Sequence, residues 1–169
     1  LTLPEGLEVI SDGAFDHMTG LENTSLTIPS TVKTIGGDYL ADENTGYGGH
    51  VFYDMGKTET FKAIYTASGN KYFTSLDGVL YSADRTRMLA YPRGKRETVF
   101  EIPEGVTQID EMAFSRATYL KKVILPNSYT ISTYLPENIL NRESANNLSA
   151  AFYLFTGIEN VSVKSSNTK

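Results

Sequence analysis

Residues 102–120 read IPEGVTQIDEMAFSRATYL, and residues 3–21 read LPEGLEVISDGAFDHMTGL. The two stretches align without a gap: Pro4 with Pro103, Gly6 with Gly105, Leu7 with Val106, Ile10 with Ile109, Ala14 with Ala113, Phe15 with Phe114, and Leu21 with Leu120. Self-similarity of this kind marks a repeat architecture, in which one small unit buries its apolar face only by stacking on the next. The unit is P-x-x-[VL]-x-x-I-x-x-x-A-F-x5-L, followed by a short strand-like run that closes on Ile-Pro or Leu-Pro.

Two further copies are degenerate. After Ile28-Pro29, Val32 and Ile35 stand at the expected offsets, and the Ala-Phe pair arrives late as Val51-Phe52. After Leu125-Pro126 comes Ile131, with the pair at Ala151-Phe152 followed by Ile158 and Val161. Each late arrival marks an insertion, residues 36–50 in one copy and 132–150 in the other. Pro4 to Pro103 is 99 positions, and Phe52 to Phe152 is 100, so a two-repeat unit of about 100 residues is duplicated. The whole of 1–169 therefore reads as a single solenoid, with repeats over 3–28, 29–65, 102–125 and 126–163 and a spacer over 71–92. Both ends read as cuts through a longer array, with any export or anchoring signal outside the chain.

Local chemistry assigns the elements. The stretches LEVI, VTQI and KKVIL alternate apolar and polar residues as short half-buried strands do, giving a mainly β solenoid. Each strand runs into a proline, which lacks the N–H needed to continue a ladder. The Ala-Phe pair reads as a short helical or 3₁₀ turn crossing the coil. Phe15, Phe52, Phe114 and Phe152 are the expected structural core, a column of rings down the stack. In the spacer, YFTSL and VLYSA flank Asp77-Gly78, a strong two-residue hairpin signal. A second turn at 83–86 leads to RMLAYP, so the expectation is a three-stranded β-meander projecting from the coil. Its aromatics, Tyr72, Phe73, Tyr81 and Tyr91, read as packing between strands or as a ligand platform.

Charge and composition exclude several functions. The 169 residues carry a formal net charge of -5 and no basic run, which argues against nucleic acid as a partner. The absence of cysteine removes disulfides, thiolate nucleophiles and Cys-ligated metals. No apolar run reaches the roughly 18 residues that would insert this segment in a membrane. His17 and His50 lie in different repeats, and no metalloprotease, serine-hydrolase, Walker or dinucleotide motif occurs. Asp12, Asp16, Asp110 and Glu111 read as solvated carboxylates at the coil edge, so no catalytic residue and no cofactor is expected. Asp38, Asp42, Glu43, Asn44 and Asp54 form the densest oxygen-rich group, but their spacing matches no calcium-binding repeat and no metal site is assigned.

The insertions are the candidate partner-binding elements. GGDYLADENTGYGGH is rich in Gly, Asp and Tyr, a composition that makes adaptable contact surfaces on a rigid scaffold. Tyr39, Asp42, Tyr47 and His50, with Tyr53 just beyond and Tyr134 from the second insertion, are the expected contact residues. Leu135, Ile139 and Leu140 in the second insertion would form an apolar edge against the coil.

The unit IPEGVTQIDEMAFSRATYLKKVILP (102–126) and the spacer KYFTSLDGVLYSADRTRMLAYPRGK (71–95) resemble the BspA-like, or Treponema-type, leucine-rich repeats of bacterial surface proteins. The resemblance implies a leucine-rich-repeat-like solenoid, an extracellular or cell-surface location, and non-enzymatic binding or adhesion to a protein or glycan. A stalk that spaces another domain from the envelope is the alternative it leaves. The resemblance brings no catalytic motif. The cysteine frequent after Ala-Phe in the family is missing, with Met18 and Ala117 in that neighbourhood.

Overall fold

The computed structural model describes residues 1–36, 51–56, 59–110, 112–129 and 159–163. Each proline-closed run forms a strand: β2 (Ser25–Ile28) before Pro29, β8 (Val99–Glu101) before Pro103 and β10 (Lys122–Leu125) before Pro126. The shorter runs that follow the prolines give β1 (Val9–Ile10), β3 (Thr34–Ile35) and β9 (Gln108–Ile109). The remaining strands are β4 (Ala63–Thr66), β5 (Phe73–Leu76), β6 (Val79–Ser82), β7 (Arg87–Ala90) and β11 (Asn160–Val163).

Strands of successive repeats pair in parallel, as a solenoid requires. β2 lies against β4 with Ser25 opposite Ala63, and β10 lies against β11 with Lys122 opposite Asn160. Both registers couple residues 38 positions apart, so the two halves of the chain stack identically. β8 joins the far side of β10, and β1 pairs with β3. Alternation decides which side chains enter the core: Leu26 and Ile28 are buried while Thr27 between them is exposed.

The turn after each proline is built the same way. Leu7, Val32, Val106 and Tyr129 each donate a backbone N–H to the carbonyl of the proline three residues earlier, at 3.1–3.3 Å. Gly6 and Gly105 occupy the third position of two of these turns at φ 98° and 93°, where a side chain would be strained. The next coil then stitches onto the turn. Thr31 Oγ1 accepts from Gly6 N (2.9 Å) and donates to Leu7 O (2.8 Å), and Ser128 Oγ does the same with Gly105 N and Val106 O (2.9 Å each).

The Ala-Phe segment is not a helical turn. Among the described residues there is no α- or 3₁₀-helix. Instead, separate three-residue hydrogen bonds follow one another: Ala14 to Ser11, Asp16 to Gly13, Met18 to Phe15, and their counterparts Ala113 to Asp110, Ser115 to Met112, Ala117 to Phe114. The physical reason is backbone handedness. Two residues before the phenylalanine, Gly13 and Met112 have φ of 69° and 58°; two residues after it, His17, Asp54 and Arg116 have φ of 53–54°. A right-handed helix cannot pass through left-handed residues, so the segment folds as linked turns.

The spacer departs most from expectation. The Asp77-Gly78 hairpin forms as read, with both residues at positive φ (50° and 78°) between Leu76 and Val79. The meander does not project from the coil, however. Val79, Leu80 and Tyr81 are all fully buried, so β6 is covered on both faces. Phe73, Leu80, Leu89 and Ala90 join the core of the first repeat pair, whereas Val79, Tyr81, Met88 and Tyr91 join that of the second. The spacer is thus an internal layer, continued into the third repeat by the parallel pairing of β7 with β9. It also interrupts the ring column. Phe15 and Phe52 stack at 5.8 Å, but buried Phe114 packs against Tyr91 (5.5 Å) and Phe100 (6.1 Å) instead of continuing that column. Phe52 is only partly buried, and Phe152 lies outside the described residues.

Candidate binding surface

In the interior of the stack, charged groups are costly unless paired. Asp110 is buried and receives both Nε and Nη2 of Arg87, the latter at 2.7 Å. Burial pushes its carboxyl up to about 6, with Arg87 offsetting only part of the effect and the charge of Asp12 adding to the rise. Asp54 is the second buried carboxylate. It takes Nη1 of Arg93 from the spacer, and Arg116 Nε from the third repeat stands 3.0 Å from it. Tyr91 donates its hydroxyl to Glu97 (2.8 Å), and burial raises its pKa further from neutrality. Arg87–Asp110 and Arg93–Asp54 tie coils to the spacer, and Arg116–Asp54 ties the third repeat to the second.

The sequence's other chemical candidates fall at the surface or beyond the described residues. His17 lies beside Asp16 at 2.6 Å on an exposed turn. Among the described residues no three His, Asp or Glu side chains converge as metal ligands, and no helix is long and apolar enough to cross a membrane. Asp38, Glu43, Asn44 and Glu111 lie outside them. The ligand-platform reading of the spacer aromatics fails for Phe73, Tyr81 and Tyr91, which are buried; Tyr72 alone of the four is open, at 47% exposure.

Of the expected contact residues, Tyr39, Asp42, Tyr47, His50 and Tyr134 lie outside the described residues. Tyr53 is placed, and it is packed rather than presented: 9% exposed, its ring edge-on to His17 at 5.1 Å. What the structure does show is how the first insertion is held. On one side, Gly36 N–H donates to Ile10 O at 2.8 Å. On the other, Val51 O and Tyr53 O accept from Phe15 N and His17 N at 3.1 Å each, and Gly56 N–H donates to Met18 O at 3.1 Å. Both flanks of residues 37–50 are therefore bonded to the first repeat. The second insertion leaves from Tyr129, which is buried and closes the Pro126 turn.

The outward strand positions offer a second, more ordinary surface. Tyr65, 50% exposed on β4, sits beside Thr27 of β2, and Val99, Lys122 and Asn160 form a row across β8, β10 and β11. Sequence reasoning overlooked Tyr65, which stands exposed between buried Ile64 and half-buried Thr66; with Ala63 and Ile64 both buried, β4 has no strict alternation to announce it.

Residues 1–45 and 94–169 match the BspA type leucine rich repeat region, in six copies. Among solved structures, the pneumococcal vaccine antigen PcpA aligns over 92% of this chain and 31% of its own at 26% identity, with a TM-score of 0.63. A leucine-rich repeat protein from Eubacterium ventriosum (22% identity, 77% of this chain and 36% of its own, TM-score 0.55) shares the fold. So does a leucine-rich cell surface protein from Faecalibacterium prausnitzii (24%, 76% and 35%, TM-score 0.55). The chain spans about a third of the length of each of these structures. No protein of curated function matches it.

Proposed function

Because the chain belongs to the BspA type leucine-rich repeat family, we propose that it is a non-enzymatic binding module of a bacterial cell-surface or secreted protein, recognising a protein or a glycan through its insertions. The observation that carries this reading is the clamping of residues 37–50 between Gly36 and Val51, each hydrogen-bonded to the first repeat. Fixing both flanks of an insertion lowers the conformational entropy its residues lose on meeting a partner. Tyr39, Asp42, Tyr47 and His50 are the proposed contacts there, with Tyr134 of the second insertion. A cell surface protein and a vaccine antigen among the structural neighbours support the location.

A glycan and extracellular-matrix array probed with the parent protein tests this. The same array is probed with a variant whose residues 37–50 are replaced by a short Gly-Ser link. A retained partner that the variant loses is the expected result. A partner retained equally by both moves recognition to the strand face around Tyr65, and no partner at all supports the stalk.

A further inference from the structure

The second repeat, the spacer and the third repeat meet around a cavity of about 20 Å³, room for one group the size of a water molecule. Its wall is mostly apolar and includes Met55, Phe61, Met112 and Ser115. Ser115 is 7% exposed, and its hydroxyl has no hydrogen-bond partner among the described residues. Buried polar groups are nearly always satisfied, so this hydroxyl calls for an acceptor. Met112 is the second unusual feature of the wall. It holds a left-handed backbone, φ 58°, at the position where the first repeat has Gly13 at φ 69°. Glycine adopts that conformation freely and methionine does not, so the backbone gives no reason for the residue and its side chain must. Met112 is half-buried, whereas Met55 and Met88 are 1% and 0% exposed. With no cysteine in the chain, its four methionines carry its only sulfur atoms.

We propose that Met112 is an oxidation site, whose sulfoxide oxygen enters the cavity and accepts a hydrogen bond from the Ser115 hydroxyl. The oxidant is a peroxide. The thioether sulfur attacks one peroxide oxygen, the O–O bond breaks as an S–O bond forms, and with hydrogen peroxide the other oxygen leaves as water. Sulfur gives up two electrons and the peroxide takes them. The product differs from methionine by one oxygen atom, within the capacity of a cavity that holds a water. A thioether is a weak acceptor, and the sulfoxide oxygen gives the serine a strong one. Sulfoxide formation ordinarily disrupts a packed core, because it buries a polar group without a partner. At Met112 the waiting hydroxyl offsets that cost, so the chain consumes an oxidant at this joint and keeps its coils stacked. Met18, the other half-buried methionine, does not line the cavity.

Treating the folded 169-residue chain with dilute hydrogen peroxide and following each methionine by peptide mass spectrometry gives the order of oxidation. Met112 should gain one oxygen roughly tenfold faster than Met55 and Met88, as its accessibility dictates. Thermal unfolding before and after treatment reads the consequence, in an M18L background that removes the other half-buried thioether at little change in volume. With Ser115 present, oxidation should leave Tm almost unchanged. With S115A added, the treated chain should lose about 2–4 °C more, the shift that one hydrogen bond makes in a chain of this size. M112L in place of S115A should show no Tm response to peroxide. Met55 or Met88 reacting as fast as Met112 overturns the proposal. So does an equal fall in Tm with and without the Ser115 hydroxyl. A fall in the M112L chain as large as that in S115A overturns it as well, because the loss then comes from another residue.

Discussion

Replacing Asp54 by Asn removes one charge and little else. Asparagine has nearly the same shape and tolerates the left-handed backbone that Asp54 adopts at φ 53°, so strain does not confound the result. The loss takes the Asp54 charge away from Arg93, whose side chain is only 11% exposed, so water replaces the carboxylate poorly. Breaking a buried pair by removing one partner destabilises by about 3–5 kcal/mol, and the retained amide oxygen places D54N at the lower end, about 3 kcal/mol. Arg116 behaves differently. Its side chain is 42% exposed, so R116M should lie within about 1 kcal/mol of the parent, like other solvated ion pairs. The double variant D54N/R93M decides the cause, because it removes both members of the pair and should recover part of the loss. Urea unfolding of the four proteins, with a common m-value, gives the comparison. Two results would refute the reasoning: D54N within 1 kcal/mol of the parent, or a double variant no more stable than D54N.

Three further outcomes follow from the same packing. F114A should lose about 3–5 kcal/mol, because Phe114 is fully buried against Tyr91 and Phe100, and F52A should lose less since Phe52 is partly covered; calorimetry showing the reverse order would place the column elsewhere. Gly94 donates to Phe61 O, and a Cβ there would stand 2.5 Å from that same oxygen, so G94A should cost about 1–3 kcal/mol through forced backbone movement; an unchanged urea midpoint would contradict this. Asp110 has a folded-state pKa of about 6, above its unfolded value, so its stabilising contribution is fully present below pH 4 and is lost as pH rises through 6. The parent should therefore gain on D110N by up to about 3 kcal/mol between pH 7.5 and 4, and a parent that instead loses ground on acidification would mean that Arg87 outweighs burial.

Much of this fold was legible because its turns carry their own chemistry. Pro4-x-x-Leu7 and Pro103-x-x-Val106 with glycine at the third place, and Asp77-Gly78 between alternating runs, are local signals, and each forms the turn its residues favour. The left-handed residues around Phe15, Phe52 and Phe114 were not legible. Only Gly13 announces such a conformation, whereas His17, Asp54, Met112 and Arg116 are held in it by the surrounding coil. Spacer burial lay between these cases. The run Val79-Leu80-Tyr81 has no polar side, which suits a strand covered on both faces, yet the hairpin signal around it drew attention to the turn instead of to the faces. The Asp54 junction could not be read at all, since Arg93 lies 39 residues from its partner and only the stacking register brings them together. As for the site, Tyr53 was read as a contact residue, but its proximity in sequence to the first insertion said nothing of its side chain's direction, and it is buried.

Stacking also explains why the repeat consensus itself leaves little surface to spare. Within a coil, the apolar consensus positions point inward, and the polar ones are spent on joining neighbours: Glu5 accepts from Ser30 N and Oγ, Glu104 from Asn127 N, and Thr31 and Ser128 bridge the proline turns. A substitution at any of these alters the register of the array before it alters a surface. Positions such as Thr27, Tyr65, Val99 and Asn160 are free of that duty, because alternation turns them outward, away from the core. Gly36 and Val51, which flank residues 37–50, are by contrast bonded to the first repeat. Substitutions at the outward positions leave untouched the 38-residue spacing that both halves share, because that spacing is set by the inward and bridging residues.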